Sequence, residues 1–485
     1  MSESGKRLSP VSFVSSIFKF SIATWVNAIL YAFAVFAVNL FVDKTVHGPY
    51  DLMINASVTL MSIVTLGLDH SYIRFFHEPP AGADDYKQIS AFSLSASFIS
   101  LAVVSIVTIF VIPGQIGVVF FEGQKEAALL ISMCFTTLFM VVIRFFNITY
   151  RMKNNVVMFS VVSISLQFFT RVFYIFGVFI KPDFTVLAMF NLAGLGCFTV
   201  CFFLWQKKEM LPKRYTLKKE AYRPLFKYGL GLMPSSVLLW GNQLVNKLFI
   251  NAGLEDGMLG IFSFAALVSQ ALGIIQGGFA TFWSAYIFKN YKNEQDRIMR
   301  MHDYVMFAMM VMMCLLILLS PVLFLLLSNY AGSRPIFGLM LLAPLLMIVA
   351  ETTVYGIEIA KKTILNTVGS MICFAVNVIL CAVLIPRYEL IGAASALAVS
   401  TAAMFLFRTV MAQRFYRTIP SYTKTAVSLI IISILAAISF TLDGRNLLIS
   451  GACVAALIFY AVIYRKEFAG LIKLFSEITG KPENK

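Results

Sequence analysis

Charge is what this chain lacks most. Of its 485 residues only 13% are charged, while 59% are apolar. A soluble domain of this length would carry far more charge, so a single soluble core is excluded. Alternation is missing as well. The apolar blocks are continuous rather than out-in, which excludes a membrane β-barrel. Histidine is rare: the four are His47, His70, His77 and His302. His70 and His77 share a helical face, but no acidic partner stands at metal-ligand spacing. The seven cysteines all fall within apolar stretches and form no CxxC pair. They are expected to be small buried hydrophobes, not a disulfide framework or metal site. No GxxxxGK[ST] loop occurs, so the chain does not itself hydrolyse ATP. No GxSxG elbow supplies a nucleophile. No outer loop is long enough for a catalytic domain. The expectation is a non-enzyme with no metal and no cofactor.

Long apolar runs are what it has. Stretches of about 20 residues, enough to cross a bilayer, recur throughout. The reading is an all-α polytopic membrane protein with about fourteen transmembrane helices: 11–42, 50–76, 87–112, 126–151, 154–180, 184–205, 222–252, 258–288, 299–328, 336–360, 362–385, 389–413, 423–442 and 446–464. The first run, from Val11 to Val42, is too long for a cleavable signal.

The net charge of +15 invites a nucleic-acid reading. The distribution argues against one. With the N-terminus inside, the outer loops hold only Lys44, Lys125, Lys181, Arg334, Arg387 and Arg445. The remaining Lys and Arg sit mostly on inner segments, the asymmetry that sets membrane topology. Both termini are therefore expected to be cytoplasmic, with membrane lipids rather than nucleic acid as the surroundings. The basic stretch "QKKEMLPKRYTLKKEAYRP" at 206–224 reads as a linker lying along an anionic membrane face. After Arg465, "KEFAGLIKLFSEITG" places Phe468, Leu471, Phe475 and Ile478 at helical spacing, as an interfacial helix would.

The halves repeat. "FKFSIA" at 18–23 matches "FKYGLG" at 226–231, and the same offset aligns "LFVD" at 40–43 with "LFIN" at 248–251. Two six-helix lobes in parallel repeat around a central cavity, plus two C-terminal helices, are expected. The divisions are 1–205 for the N-lobe, 206–221 for the linker, 222–413 for the C-lobe, 414–464 for the last two spans and 465–485 for the tail. This is a transporter architecture.

Ionisable groups inside spans are costly and usually face a bundle interior. The cations there are Lys19, Arg74, Arg144, Arg171, Lys227, Lys247 and Arg408; the acids are Asp69, Glu351 and Glu358. The cavity should therefore be net positive. At 1.5 Å per residue, Lys19, Arg74 and Arg144 fall in the inner half, Arg171 nearer the middle and Lys247 towards the outside. Such a ladder suits an anionic group that must cross, since Arg pairs bidentately with phosphate. Snorkelling is the plainer reading for Lys19 and Lys227. Asn55, Thr59, Ser62, Thr65, Asp69 and Tyr72 follow one another at helical spacing in span two. Asn27 in span one and Gln243 in span seven are further polar candidates. Helix–helix hydrogen bonding is the plainer alternative for such residues. Pro234 marks an expected bend near the cavity, and Pro321 and Pro344 are candidate kinks.

"GLDHSYIRFFHE" at 67–78 resembles the end of the second span in bacterial polysaccharide and O-antigen flippases. "NVILCAVLIPRYELIGAASALAVS" at 377–400 resembles their signature over spans eleven and twelve, with Glu389 where the family often has Gly. "FKFSIATWVNAI" at 18–29 resembles their opening span. The family belongs to the multidrug, oligosaccharidyl-lipid and polysaccharide exporter superfamily. The resemblance implies movement of an undecaprenyl-diphosphate-linked oligosaccharide (an O-antigen, capsule or exopolysaccharide repeat unit) to the outer leaflet of a bacterial cytoplasmic membrane. It implies alternating access through a cationic cavity, with a polysaccharide polymerase and a chain-length regulator as partners. Arg74 falls in the family motif. Asp69 and Glu351 are candidate ion-coupling groups, Asp69 alternatively being the counter-charge of Arg74. The rival readings are a cation-coupled multidrug exporter and a peptidoglycan-precursor flippase of the same superfamily. A membrane glycosyltransferase is opposed by the short outer loops.

Overall fold

In hydrocarbon every backbone donor and acceptor must be satisfied within its own segment, and a helix does this. The computed structural model describes residues 22–108, 126–153, 155–255, 257–362, 364–441 and 446–467, and among these no strand occurs. The first half comprises α1 (Ile22–Phe41), α2 (Lys44–Val64), α3 (Leu68–Arg74), α4 (Tyr86–Ile106), α5 (Glu126–Met152), α6 (Val156–Ile180) and α7 (Phe184–Met210). The second comprises α8 (Tyr222–Gly253), α9 (Met258–Asn290), α10 (Gln295–Leu326), α11 (Arg334–Ala350), α12 (Tyr355–Ile359) and α13 (Ile364–Phe415). Two more helices follow, α14 (Tyr422–Thr441) and α15 (Asn446–Ile463). The expected spans fall on helices wherever they are described, the second and the tenth each over a pair (α2–α3 and α11–α12). Among the described residues ten helices are long and apolar enough to cross a membrane, and the bent pair α2–α3 adds an eleventh. The chain is a polytopic helical membrane protein.

Polar caps start several of these helices where the apolar runs begin. Asp43 accepts the Thr45 amide at 2.8 Å, Asp85 the Gln88 amide at 3.0 Å and Asp183 the Thr185 amide at 2.9 Å. The Asp43 cap starts α2 at Lys44, earlier than the apolar run alone suggests. α13 is two antiparallel limbs that reverse at Glu389, whose φ of 46° is a conformation that favours glycine. That explains why a glycine suits this turn. α8 is continuous through Pro234; a sharp bend at a break between helices lies elsewhere.

That bend is in span two. The sequence predicts one helix over 50–76, but α2 and α3 meet at 60°. Leu66 (φ 52°) and Gly67 (φ 66°) are both left-handed. The cause is a close approach: a Cβ on Gly67 would sit 2.0 Å from the Gly229 carbonyl oxygen of α8. The polar stripe is therefore divided. Thr59 and Ser62 donate to their own helix's carbonyls (Asn55 O at 2.9 Å, Val58 O at 3.2 Å), rather than to neighbouring helices.

Within each half, helices pack mainly on one another, α6 on α7 in the first and α8 on α13 in the second. The halves meet through α2 and α3 against α8 and α9, and through α1 against α9. α14 lies on α11 and α15 on α10. One large core joins Leu52 and Met53 of the first half to Phe262 and Phe264 of the second. Residues 77–85 and 211–221 lie at one end of the bundle, hereafter the basic end, and 43–49 and 328–333 at the opposite end.

Candidate functional site

The two halves touch at both ends of the bundle. At the basic end the contact is built on small residues and rings. Gly67 lies backbone to backbone on Gly229. Ser71 Oγ donates to the Leu225 carbonyl at 2.7 Å, and His70 Nε2 lies 2.9 Å from Ser236 Oγ. The Phe75 ring packs edge-on against Tyr228 with centroids 5.9 Å apart. Phe92 stacks on Tyr222 at 4.6 Å. Residues 211–221 form a strap over this end. Lys218 N–H donates to Gly82 O at 2.9 Å, Gln88 Nε2 to Arg214 O at 2.8 Å and Thr216 Oγ1 to Asp84 at 2.6 Å.

At the opposite end the approach is equally close but better buttressed. A Cβ on Gly260 would lie 1.9 Å from the Lys44 carbonyl oxygen, and one on Gly48 would lie 2.6 Å from Gly260 N. Tyr330 donates to Val42 O at 2.9 Å and stacks on Phe264 at 4.1 Å. The buried His47 ring sits edge-on to Tyr330. An ion pair then crosses between the halves: Lys247 Nζ of α8 to Asp51 Oδ2 of α2 at 2.5 Å, with the lysine side chain only 3% exposed. Asn55 Nδ2 also reaches Asp51, at 3.1 Å.

Asp51 was missed by sequence reasoning. An available signal was its spacing: Asp51 stands one turn before Asn55 and extends the stripe. Its presence gives a cation of the expected ladder a partner. Lys247 is neutralised by Asp51. Arg144 holds Asp69 with Nη2 at 3.0 Å and Nε at 3.2 Å. Arg74 pairs with Glu78 at 3.1 Å, both well exposed. Asp69 is thus the counter-charge of Arg144 and not of Arg74, because the α2–α3 bend turns it towards α5. Three of the cations expected in the spans, Arg74, Arg144 and Lys247, are each paired with a carboxylate in this conformation. Arg408 is held by neutral groups, donating to Asn366 O at 2.8 Å and Ser370 Oγ at 2.7 Å. Glu351 accepts from Gln276 at 3.1 Å and from Tyr355 at 3.2 Å. Lys227 is exposed near the basic end. Asn27 stands on α1 and Arg171 on α6, their side chains outside what the structure describes; Lys19 and the tail beyond Glu467 also lie outside the described residues.

A cavity of about 230 Å³ opens between α8, α9, α11 and α13, lined by Asn242, Gln243, Asn246, Lys247, Gln270 and Gln276 among others. It lies within the second half. Behind its wall stands the Asn-and-Gly-Ala-Ala signature. Asn377 Nδ2 donates to Asn242 O at 2.9 Å and to Asn246 Oδ1 at 2.7 Å. Asn246 Nδ2 donates to Ala393 O at 2.9 Å. Within α13, Gly392 packs so tightly that a Cβ would meet Leu384 O at 2.4 Å. Asn377 and Ala393 therefore brace the α8 side of the wall from behind and tie α13 to α8. An apolar groove of about 820 Å³ runs between the second limb of α13 and α14, with Arg414 at its basic end.

The other polar residues are structural. His302 is fully buried between Thr352 (2.7 Å) and Thr425 (3.1 Å). Beside it Lys424 joins Asp303 at 3.2 Å and Glu467 at 3.0 Å, fastening α14 to α10. Two of the seven free cysteines, Cys197 and Cys201, are exposed on α7. This corrects the expectation that all are buried: α7 turns that face outward from the bundle. Among the described residues no group of three potential ligands could hold a metal.

Residues 13–288 match the family of polysaccharide biosynthesis proteins. Among solved structures the chain resembles a lipid II flippase MurJ in an inward closed conformation, with a TM-score of 0.71 and 16% identity over 93% of this chain and 99% of that one. It also resembles an inward-facing MATE-family multidrug resistance transporter of the MOP superfamily, with a TM-score of 0.52 and 13% identity over 80% and 95%. A mutant of the Vibrio cholerae MATE transporter VcmN gives 0.52 and 10% over 84% and 98%. At these identities the likeness is one of fold. No curated protein matches the chain.

Proposed function

The chain belongs to the family of polysaccharide biosynthesis proteins, and on that premise we propose that it is a flippase. Its cargo is an undecaprenyl-diphosphate-linked oligosaccharide, carried from the inner to the outer leaflet of a bacterial cytoplasmic membrane by alternating access. The fold likeness to a lipid II flippase makes a lipid-linked cargo the chemistry to test first.

The observation that most supports this reading is the pair of seals. A polar interior lies between two places where the halves meet backbone to backbone, Gly67 on Gly229 and Gly48 on Gly260. Opening one seal while the other holds exposes the interior to one side at a time. The halves act as two lobes, 1–205 and 222–413, linked by 206–221, with 414–464 and the tail beside them. The basic end faces the cytoplasm, in keeping with the positive-inside rule, so both termini lie there. Arg74, Arg144, Arg171 and Lys19 meet the diphosphate. Arg144 does so by exchanging Asp69 for phosphate oxygens, which accept its bidentate donors as a carboxylate does, while Lys247, held by Asp51, lines the path of the rest of the cargo. Asn27 and Gln243 contribute neutral hydrogen bonds. The prenyl chain stays in apolar surroundings, for which the groove beside α14 offers room. Outward movement of each negative charge is favoured by about 2.3 kcal/mol per 100 mV of inside-negative potential. Glu351, held by neutral donors, is the better ion-coupling candidate than the ion-paired Asp69. A polysaccharide polymerase and chain-length regulator would take the product.

The test is translocation of the host's lipid-linked repeat unit in proteoliposomes, read by lectin or periodate accessibility on the far leaflet. The expected result is time-dependent, protein-dependent exposure. Exposure no faster than in empty liposomes would overturn the reading.

A further inference from the structure

We propose that the cavity between α8, α9, α11 and α13 is a saccharide-binding subsite, which takes a neutral sugar unit of the cargo through amide side chains. The inference rests on the flippase reading above and assigns a part of the cargo to a part of the path.

The cavity sets five amide side chains into an otherwise largely apolar wall and is nearly uncharged. Asn242, Gln243, Asn246, Gln270 and Gln276 line it, and its one cation, Lys247, is held by Asp51. A diphosphate calls for more positive charge than one paired lysine, and a purely apolar ligand would leave the amides of this wall unmatched. An amide offers both donors and an acceptor, as does a sugar hydroxyl, so this wall matches a polyhydroxylated ring. Asn242 sharpens the case. The residue lines the cavity and is only 6% exposed, and its Oδ1 has no hydrogen-bond partner. Leaving a buried acceptor unmatched costs about 1–3 kcal/mol. The neighbouring amides do not share this fault: Asn246 is engaged at both ends by Ala393 and Asn377. A ligand hydroxyl donating to Asn242 would complete the wall. The cavity has room for a ring, and Leu239 and Met347 supply an apolar surface for its carbon face. Arg144 and Asp69 are not part of this wall, so diphosphate and sugar would be gripped at separate places.

The experiment uses the full chain in lipid nanodiscs. The probe is the reducing glycan released by mild acid from the host's own lipid-linked intermediate, followed by saturation-transfer NMR. Wild type should bind it, and Asn242→Leu and Gln270→Leu should each weaken binding by about tenfold. Gln270 is exposed, so its variant keeps the test alive if Asn242→Leu fails to fold. Absence of glycan binding by the wild type, or wild-type affinity in folded Gln270→Leu, overturns the subsite. Proteoliposome translocation by the wild type then separates the two readings. If it persists, only the subsite falls; if it too is absent, the flippase reading falls with it.

Discussion

The two seals use the same device and differ in what surrounds it. Each places one glycine against the backbone of the other half. The seal at the opposite end is continuous with the large core and carries the Lys247–Asp51 pair. At the basic end, among the described residues, no ion pair joins the halves; a Ser71 hydroxyl, a His70–Ser236 contact and partly exposed rings do the work. Apolar contact area and a buried pair both resist separation, the pair chiefly because parting it leaves two desolvated charges. The basic end should therefore open more readily, and inward opening should be the easier excursion from this conformation.

The comparison can be broken in order of expected effect. Gly260→Val drives a side chain into Lys44 O, at 1.9 Å for the Cβ alone, inside the stronger seal. We expect a cost of about 3 kcal/mol or more and little folded protein, read by fluorescence-detected size exclusion. Asp51→Ala strands a buried lysine and should cost about 3–5 kcal/mol. Adding Lys247→Met should restore much of it in a thermal melt; a double variant no more stable than the single would show that the pair is not what holds this end. Gly229→Ala is milder, its Cβ 3.0 Å from Gly67 backbone atoms, and should cost about 1 kcal/mol. This variant should accumulate normally but translocate more slowly, because its basic end cannot close. Arg171→Ala should lower glycan export about tenfold, the loss of one charge-assisted contact, with protein level unchanged by immunoblot. The smallest effect lies away from both seals. Glu389→Gly relieves a φ of 46° and should raise stability by up to about 1 kcal/mol.

The helices were legible because hydrocarbon demands long unbroken apolar runs, and caps such as Asp183 refine their starts. The bend at Gly67 was not, because its cause is Gly229, in a different half. Asp51 escaped because the apolar run begins near Tyr50, whereas the Asp43 cap starts the helix at Lys44. The pairings Arg144–Asp69 and Lys247–Asp51 join residues distant in sequence, and composition registers charges without their partners. Asn377 stood out as a signature residue, but that it braces a cavity wall from behind depends on how α13 folds back on α8.

The central claim is that the basic-end seal must part during transport. His70 and Ser236 touch across it, so His70→Cys with Ser236→Cys, in a Cys197→Ser, Cys201→Ser background, allows it to be locked by a short cleavable bifunctional thiol reagent. The account predicts that translocation in proteoliposomes stops on cross-linking and returns on reduction. Undiminished translocation by fully cross-linked protein would contradict it.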